Sequence, residues 1–442
     1  MLLQDLNGKT VCVLGYGKEG RAMVKALEEF APECEITIAD KNPDIDVDGD
    51  RHWKQVGEGW LENLNKFDVI IKSPGIPPSA LPPTPNTLLT NSTQIFLEET
   101  ASRSATVIGV TGSKGKSTTS TLIHEILKAG DKKTFLVGNI GEPAISHLKD
   151  ASVNTYFVLE MSSYQLMDCH SSPPIAVITS FFPEHLDYHA STALSTGSTP
   201  LEAYKEAKSH ITRFQSEGDF VAYDASSTGA EEIACMSPGK RIAVHAEDLP
   251  LESMGLKGEH NRRNAAIAFL TTRLLGVPER ISIPVIQNFR GLPHRLQSLG
   301  IHHGAEWVDD AISTTPESTI AALDALGDRV AVIILGGQDR GNDFTALGKR
   351  IAASKIKTII LFPDSGPRIR KAIEDANAAA EFFEVETMQE AIEHAKFSIL
   401  NSQFSISPIV LLSTASPSYN MFKNFEEKGA MFLLCIEKQN PV

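Results

Sequence analysis

The sequence predicts an α/β protein built on mostly parallel sheets, and three observations predict it. Val107-Ile108-Gly109-Val110 runs into the glycine-rich turn Thr111-Gly112-Ser113-Lys114-Gly115-Lys116-Ser117-Thr118, and a helical pattern follows over 120–128. A short apolar strand at 10–14 leads into Gly15-Tyr16-Gly17-Lys18-Glu19-Gly20, a helix at 21–30 and a second strand at 35–39 that ends at Asp40. Beyond these, short apolar runs alternate with helical patterns almost to the end of the chain, which is how parallel sheets connected by helices are written in sequence.

Bulk properties set the frame. A chain of 442 residues is long enough for two to four domains, each with its own core. Hydrophobic residues at 42% and charged residues at 22% are those of a soluble globular protein. The formal net charge of -14 disfavours nucleic-acid and membrane-surface partners. The five cysteines, Cys12, Cys34, Cys169, Cys235 and Cys435, are scattered without metal-ligand spacing, which fits free thiols in a reducing cytoplasm. The first residues lack a basic leader, and no run approaches the length of a membrane span, so a cytoplasmic protein is expected; separately, a monomer is expected.

Residues 1–97 read as a first α/β unit. Its G-x-G-x-x-G turn, with Asp40 placed 20 positions after the last glycine, suggests by itself a dinucleotide site, and the same turn, with Gly15, Tyr16, Gly17 and Lys18, can cradle any nucleotide diphosphate. Strand 67–71 runs into Lys72-Ser73-Pro74-Gly75-Ile76-Pro77-Pro78, whose Ser73, Pro74 and Gly75 form a rigid loop at the carboxyl edge of a sheet, where ligands bind in open α/β folds. The Pro- and Thr-rich segment 79–91 leads towards a boundary, and a short helix is expected at 94–100. Residues 98–298 form a second unit with strands at 107–110, 134–137, 156–160, 175–179 and 220–223. Residues 299–442 form a third, with strands at 307–309, 330–335, 358–362 and 409–412 and helices at 317–326, 369–376 and 388–396.

The chemistry concentrates in the second unit. The turn at 111–118 is a phosphate loop: backbone N–H groups and a helix N-terminus face the anion, and Lys116 reaches terminal phosphates. The hydroxyl of Ser117 or Thr118 is placed to hold Mg²⁺. The loop is the short form T-G-x-x-G-K-S-T, since Val110 stands at the first glycine position of the longer pattern. Glu160 ends a strand, where Mg²⁺ needs a hard oxygen ligand. Glu184, His185, Asp187 and His189 cluster after another strand, as a second metal site or phosphate contact would require. Lys208, on a helical pattern, has no chemical role legible beyond surface charge. Asn261 and Asn264 share a helix face, Arg295 sits in the turn Gly291-Leu292-Pro293-His294-Arg295, and Asp309-Asp310 and Gly336-Gly337-Gln338-Asp339-Arg340 follow apolar strands.

Taken in order, these segments resemble the Mur ligase superfamily over nearly the whole chain. The carriers are T-G-S-K-G-K-S-T-T, G-N-I-G (138–141), L-E-M-S-S-Y-Q-L (159–166), E-H-L-D-Y-H (184–189), E-A-K (206–208), G-E-H-N-R-R-N-A (258–265), G-L-P-H-R (291–295) and G-G-Q-D-R (336–340). The stretch S-P-S-Y-N-M-F-K-N-F-E-E-K-G (416–429) is similar to the signature of the MurD branch, which adds glutamate to UDP-N-acetylmuramoyl-L-alanine. The resemblance implies three domains: a Rossmann-like one for the UDP-sugar, a central P-loop ATPase-type sheet for ATP, and a Rossmann-like one for the amino acid. It implies an ADP-forming amide ligase working through an acyl phosphate, with two Mg²⁺ sites. Ser117 and Glu160 would hold the first metal, and His185 and a carbamate on Lys208 the second. Lys116 would stabilise the transferring phosphate; Gly112, Ser113, Lys114, Gly115 and Thr118 would complete its loop. Asn139 would touch phosphates or the UDP-sugar, and Asn261, Asn264, Arg295 and Asp310 would line the adenine, ribose and phosphate side. Thr314, Arg340, Ser418 and Phe425 would fall at the glutamate pocket.

The chain also departs from that pattern. The branch usually carries D-S-K-A-T-N where this chain has Asp310-Ala311-Ile312-Ser313-Thr314-Thr315-Pro316, so Ile312 replaces a lysine. Arg340 stands where another pocket lysine is expected, and an arginine binds a carboxylate in bidentate fashion. The S-T-T-P form resembles a variant that adds L-glutamate, whereas D-glutamate is the branch default, and both isomers stay open. Lys114 stands where asparagine is usual. The competing readings are a folylpolyglutamate synthase-like ligase, a nicotinamide-dependent oxidoreductase resting on Gly15, Gly17, Gly20 and Asp40, and a nucleotide-gated binding protein without catalysis.

Overall fold

The structure, a computed structural model, describes residues 1–47, 52–83, 87–184, 186–256, 258–404 and 407–438. It is α/β with three sheets. The first contains β1 (Thr10–Leu14), β2 (Glu35–Asp40), β3 (Trp53–Val56), β4 (Val69–Lys72) and β5 (Leu88–Thr90), in the order β3-β2-β1-β4-β5, all parallel. The second contains β6 (Thr106–Thr111), β7 (Lys133–Gly138), β8 (Thr155–Glu160), β9 (Ile175–Ile178), β10 (Phe220–Asp224) and β11 (Lys240–Val244), in the order β11-β10-β9-β6-β8-β7, again all parallel. The third contains β12 (Gln297–His302), β13 (Ala305–Asp309), β14 (Val330–Gly337), β15 (Thr358–Asp364), β16 (Glu381–Glu384) and β17 (Ile409–Leu412), in the order β12-β13-β17-β14-β15-β16. Among the described residues only β12 and β13 pair antiparallel there.

The chain divides into two compact units, Met1–Phe289 with the first two sheets and Arg290–Val442 with the third. The central strands are buried on both faces, as sheets covered by helices require: Val107, Ile108 and Val110 of β6 and Val332, Ile333 and Ile334 of β14 are almost fully enclosed. Among the described residues no helix is long and apolar enough to cross a membrane.

Every strand expected from the sequence is present. The five that the sequence did not signal, β3, β5, β11, β12 and β16, all lie at sheet edges. Their half-exposed residues break the continuous apolar run by which a buried parallel strand is recognised.

Strand order places the loops that matter. In the second sheet β6 lies between β8 and β9, with Val110 opposite Glu160 and Thr111 opposite Ile178. The phosphate loop, Glu160 and Thr179 therefore emerge side by side at one carboxyl edge. In the first sheet β1 lies between β2 and β4, so the turn after Leu14 is flanked by Asp40 and Ser73. That is the switch point where such folds bind ligands.

Candidate active site

The phosphate loop is held from below by the segment after β9. Ser113 N–H donates to Ser180 O (2.8 Å), Ser113 Oγ donates to Phe182 O (2.8 Å), and Thr179 Oγ1 donates to Lys114 O (2.6 Å). Two glycines are obligatory. At Gly112 (φ +150°) a Cβ would meet Thr179 Oγ1 at 2.1 Å; at Gly115 (φ +87°) it would meet Asn264 Oδ1 at 2.4 Å. The helix Lys116–Ala129 starts immediately after the loop, with Ser117 and Thr118 half-buried in its first turn. Lys116 Nζ donates to Gly112 O and Ser113 O, both at 2.9 Å, so the ammonium is anchored inside the loop. Lys114 is an exposed cation that reaches Glu184 at 2.5 Å.

Two buried groups face this loop. Glu160 is 1% exposed; its Oε1 accepts from Asn139 Nδ2 (2.8 Å), while its Oε2 has no hydrogen-bond partner among the described residues. A buried carboxylate oxygen left open beside a phosphate loop fits a hard, oxygen-liganded cation completed by Ser117 and phosphate oxygens. Asn139 spends its amide on orienting that carboxylate. Lys208 is the second group, and here the surface-charge reading is corrected: it is 2% exposed. The helix Pro200–Ser209 turns its last residues under the loop, where Lys208 Nζ donates to Gly112 O (2.9 Å) and Thr111 Oγ1 (3.3 Å). Burial, reinforced by the Lys116 cation, pushes this amine well below the usual lysine range. Tyr204, one helical turn earlier, shares a hydrogen bond with Ser113 Oγ (3.1 Å). His185 lies outside the described residues; among the described residues no group of three His, Cys, Asp or Glu is arranged to hold a metal by itself.

Beside the loop opens a cleft of about 640 Å³ lined by Lys114, Gly115, Ser180, Asp224, Arg263 and Asn264, among others. Asn264 lines it and Asn261 does not. Sequence reasoning missed Asp224 and Arg263, which pair at 3.2 Å. The signals were there: Asp224 is a strand-end acid like Glu160, and Arg263 lies within the same helix opening as the two asparagines.

At the carboxyl edge of the first sheet, Tyr16 N–H and Asn42 N–H donate to Asp40 at 2.6 and 2.8 Å, so the acid fixes the glycine turn. A Cβ at Gly20 would stand 2.0 Å from Gly15 O, which explains the third glycine. Ser73 Oγ donates to Gly15 O (3.1 Å), bringing the loop that carries Pro74 and Gly75 against the turn. Lys18 Nζ donates to Gly141 O (2.7 Å) of the segment that carries Asn139.

In the unit Arg290–Val442, the carboxyl ends of β13, β14 and β17 and the start of the helix Phe425–Glu437 converge. Asp310 is buried and accepts from Ser413 Oγ (2.7 Å); burial pushes its carboxyl up. Thr314 is half-buried and Arg295 exposed. Arg340 lies over the Tyr419 ring (5.4 Å), and Gln338 N–H donates to Pro417 O (2.8 Å), which joins the two segments. Ser418 is 4% exposed with an Oγ that lacks a partner among the described residues, and Phe425 meets the His294 ring edge-on.

Lys428 is a further group the sequence did not single out. It is 1% exposed, donates to Thr414 Oγ1 (2.5 Å), and burial pushes it down to about 7 despite Asp309 and Asp310. Between pH 7 and the ordinary lysine range the unfolded chain binds a proton that the folded chain does not, so stability should rise with pH across that window. Asp309 retains His294 Nδ1 (2.7 Å) and Asp310 retains Ser413, so neither acid depends on the lysine alone. Lys428→Met is therefore expected to stabilise the protein by about 1–3 kcal/mol near pH 6, the gain shrinking towards pH 9. Urea unfolding at both pH values measures this, and parallel pH slopes for the two proteins would contradict it.

Comparison with known proteins bears on these sites. A family described as "Mur ligase middle domain" matches residues 110–246, and one described as "Mur ligase, glutamate ligase domain" matches residues 294–403. A UDP-N-acetylmuramoyl-L-alanine–L-glutamate ligase from Xanthomonas euvesicatoria is 31% identical, covering 98% of this chain and 96% of its own length. A UDP-N-acetylmuramoylalanine–D-glutamate ligase from Symbiobacterium thermophilum is 34% identical, covering 86% of each chain. Among solved structures, a UDP-N-acetylmuramate-alanine ligase from Thermotoga maritima shares the fold at a TM-score of 0.53 and 16% identity, covering 98% of this chain and 100% of its own.

Proposed function

Because this chain belongs to the Mur ligase family, we propose that it joins glutamate to UDP-N-acetylmuramoyl-L-alanine with hydrolysis of ATP to ADP and phosphate. It is an ATP-dependent acid–amino-acid ligase of peptidoglycan precursor synthesis. The observation that carries the proposed site is the burial of Glu160 and Lys208 against the phosphate loop, one with an open oxygen and the other with a desolvated amine.

In this reading residues 1–97 hold the UDP-sugar, 98–298 ATP and 299–442 the amino acid. The cleft beside Gly115 takes the nucleoside, with Asp224, Arg263 and Asn264 on its wall. Lys116 and the loop N–H groups bind the triphosphate and stabilise charge as the terminal phosphoryl group passes to the L-alanyl carboxylate. Ser117 Oγ and Glu160 Oε2 would hold Mg²⁺, with Asn139 fixing the carboxylate; when bound, such an ion would supply positive charge against the phosphate oxygens. A carbamate on Lys208, with His185, would hold a second ion. The glutamate amine then attacks the acyl phosphate, and the tetrahedral intermediate expels phosphate. Ser418, Thr314, Arg340 and Phe425 form the acceptor pocket.

L-glutamate is the isomer proposed. Ile312 and the S-T-T-P stretch depart from the D-glutamate pattern, and several relatives that match almost the full chain are named for L-glutamate. The test is phosphate release and product mass with ATP, Mg²⁺, UDP-N-acetylmuramoyl-L-alanine and either isomer in parallel. Product with L-glutamate alone is expected; product with D-glutamate alone would reverse the isomer, and product with neither would sink the acceptor assignment.

A further inference from the structure

The loop at 73–77 poses a hydrogen-bonding problem. Pro74, Pro77 and Pro78 have no N–H, so the segment has few donors of its own with which to organise its carbonyls. Donors come from outside. Lys72 Nζ, fully buried and paired with Asp168 at 2.9 Å, donates to Ile76 O (2.8 Å). Tyr188 Oη donates to Pro74 O (2.8 Å) and lies 3.3 Å from Ile76 O.

Tyr188 comes from the second sheet's side of the unit. It sits in the first turn of the helix Leu186–Thr196, four residues after Glu184, which pairs with the phosphate loop through Lys114. Its ring packs on Tyr164 with centroids 4.1 Å apart, and Tyr164 belongs to the segment that follows Glu160. One side chain thus touches the loop of the first sheet and is mounted on two segments that leave the carboxyl edge of the second. Burial pushes its phenol far above the usual tyrosine range, so the hydroxyl stays a donor at any working pH.

We propose that Tyr188 is a positioning residue that sets the 73–77 loop, and with it the UDP-sugar, at a fixed reach from the phosphoryl-transfer edge. The inference rests on the proposed function, in which that loop contacts the UDP-sugar. Its physical basis is that a carboxylate must approach the terminal phosphorus to about 3–3.5 Å, and small displacements of the supporting loop forfeit that approach.

Tyr188→Phe tests it, because it removes the hydroxyl and keeps the ring against Tyr164. Steady-state kinetics should show KM for UDP-N-acetylmuramoyl-L-alanine raised about tenfold and kcat lowered, the size expected for one lost hydrogen bond. The dissociation constant for ATP, by calorimetry, should stay within about twofold and Tm should be unchanged. An unchanged KM for the UDP-sugar in an otherwise active variant overturns the inference. So does a parallel loss in all substrates together with a lowered Tm, which is the signature of a merely structural residue. Absence of any turnover of the UDP-sugar by the wild type is a different result: it overturns the proposed function, and the inference with it.

Discussion

Lys208→Ala is expected to reduce turnover by about 10²–10³-fold while the protein remains folded. A long cation has been drawn under the phosphate loop with two oxygen acceptors and almost no water around it. A lysine kept only for stability gains little there, since desolvating an ammonium costs several kcal/mol by an order-of-magnitude estimate. Burial favours the neutral form of this amine, the form that adds to CO₂; in the proposed function a carbamate would form as the proton leaves, and the site would become an anionic oxygen ligand. Lys208→Arg keeps positive charge and length but cannot form the carbamate, so it should be as inactive as alanine. Phosphate release under saturating substrates measures both variants. Full turnover in Lys208→Ala would remove the carbamate from the mechanism, and recovery in Lys208→Arg would show that positive charge is the need.

For Lys116→Met the expected loss in kcat is about 10³-fold, with affinity for ATP weakened only about tenfold. The distinction follows from geometry. In the proposed function the loop N–H groups and the helix start would bind ground-state phosphates without the lysine, whereas the Nζ, held by Gly112 O and Ser113 O, would meet charge that grows during transfer. Lys116→Arg should not restore the rate, because a planar fork cannot occupy the site of a compact ammonium. Single-turnover phosphate release and calorimetric ATP binding separate the two terms. A loss that falls wholly on ATP binding, with kcat preserved, would assign Lys116 to binding alone.

What could be read from the sequence follows physical lines. The phosphate loop and Glu160 were legible because a central parallel strand announces itself by an apolar run, and the residue that ends it must stand at the sheet's carboxyl edge. Lys208 was not legible from chemistry: a lysine on a polar helix reads as solvated, and only the packing of the helix Pro200–Ser209 beneath Gly112 buries it. The family resemblance supplied the role proposed for it. The Asp224–Arg263 pair was hidden for another reason, since its members lie 39 positions apart and meet only because β10 and the helix Glu259–Leu274 are neighbours. Lys428 escaped because the acids beside it, Asp309 and Asp310, lie more than 100 positions earlier in the chain.

The edge strands have a consequence for how copies of the protein meet. An open sheet invites an unpaired strand of another molecule to add to it, and each margin that broke the apolar pattern also resists that invitation. Lys54 interrupts β3, Lys240 and Arg241 open β11, and Glu381 and Glu384 bracket β16. β12 carries a register irregularity between Ser298 and Ile301, and β5 is only three residues long. A strand arriving at any of these margins would meet desolvated charge, a kinked ladder or too few hydrogen bonds to hold it. Five of the six margins of the three sheets therefore resist the addition of a strand from another molecule.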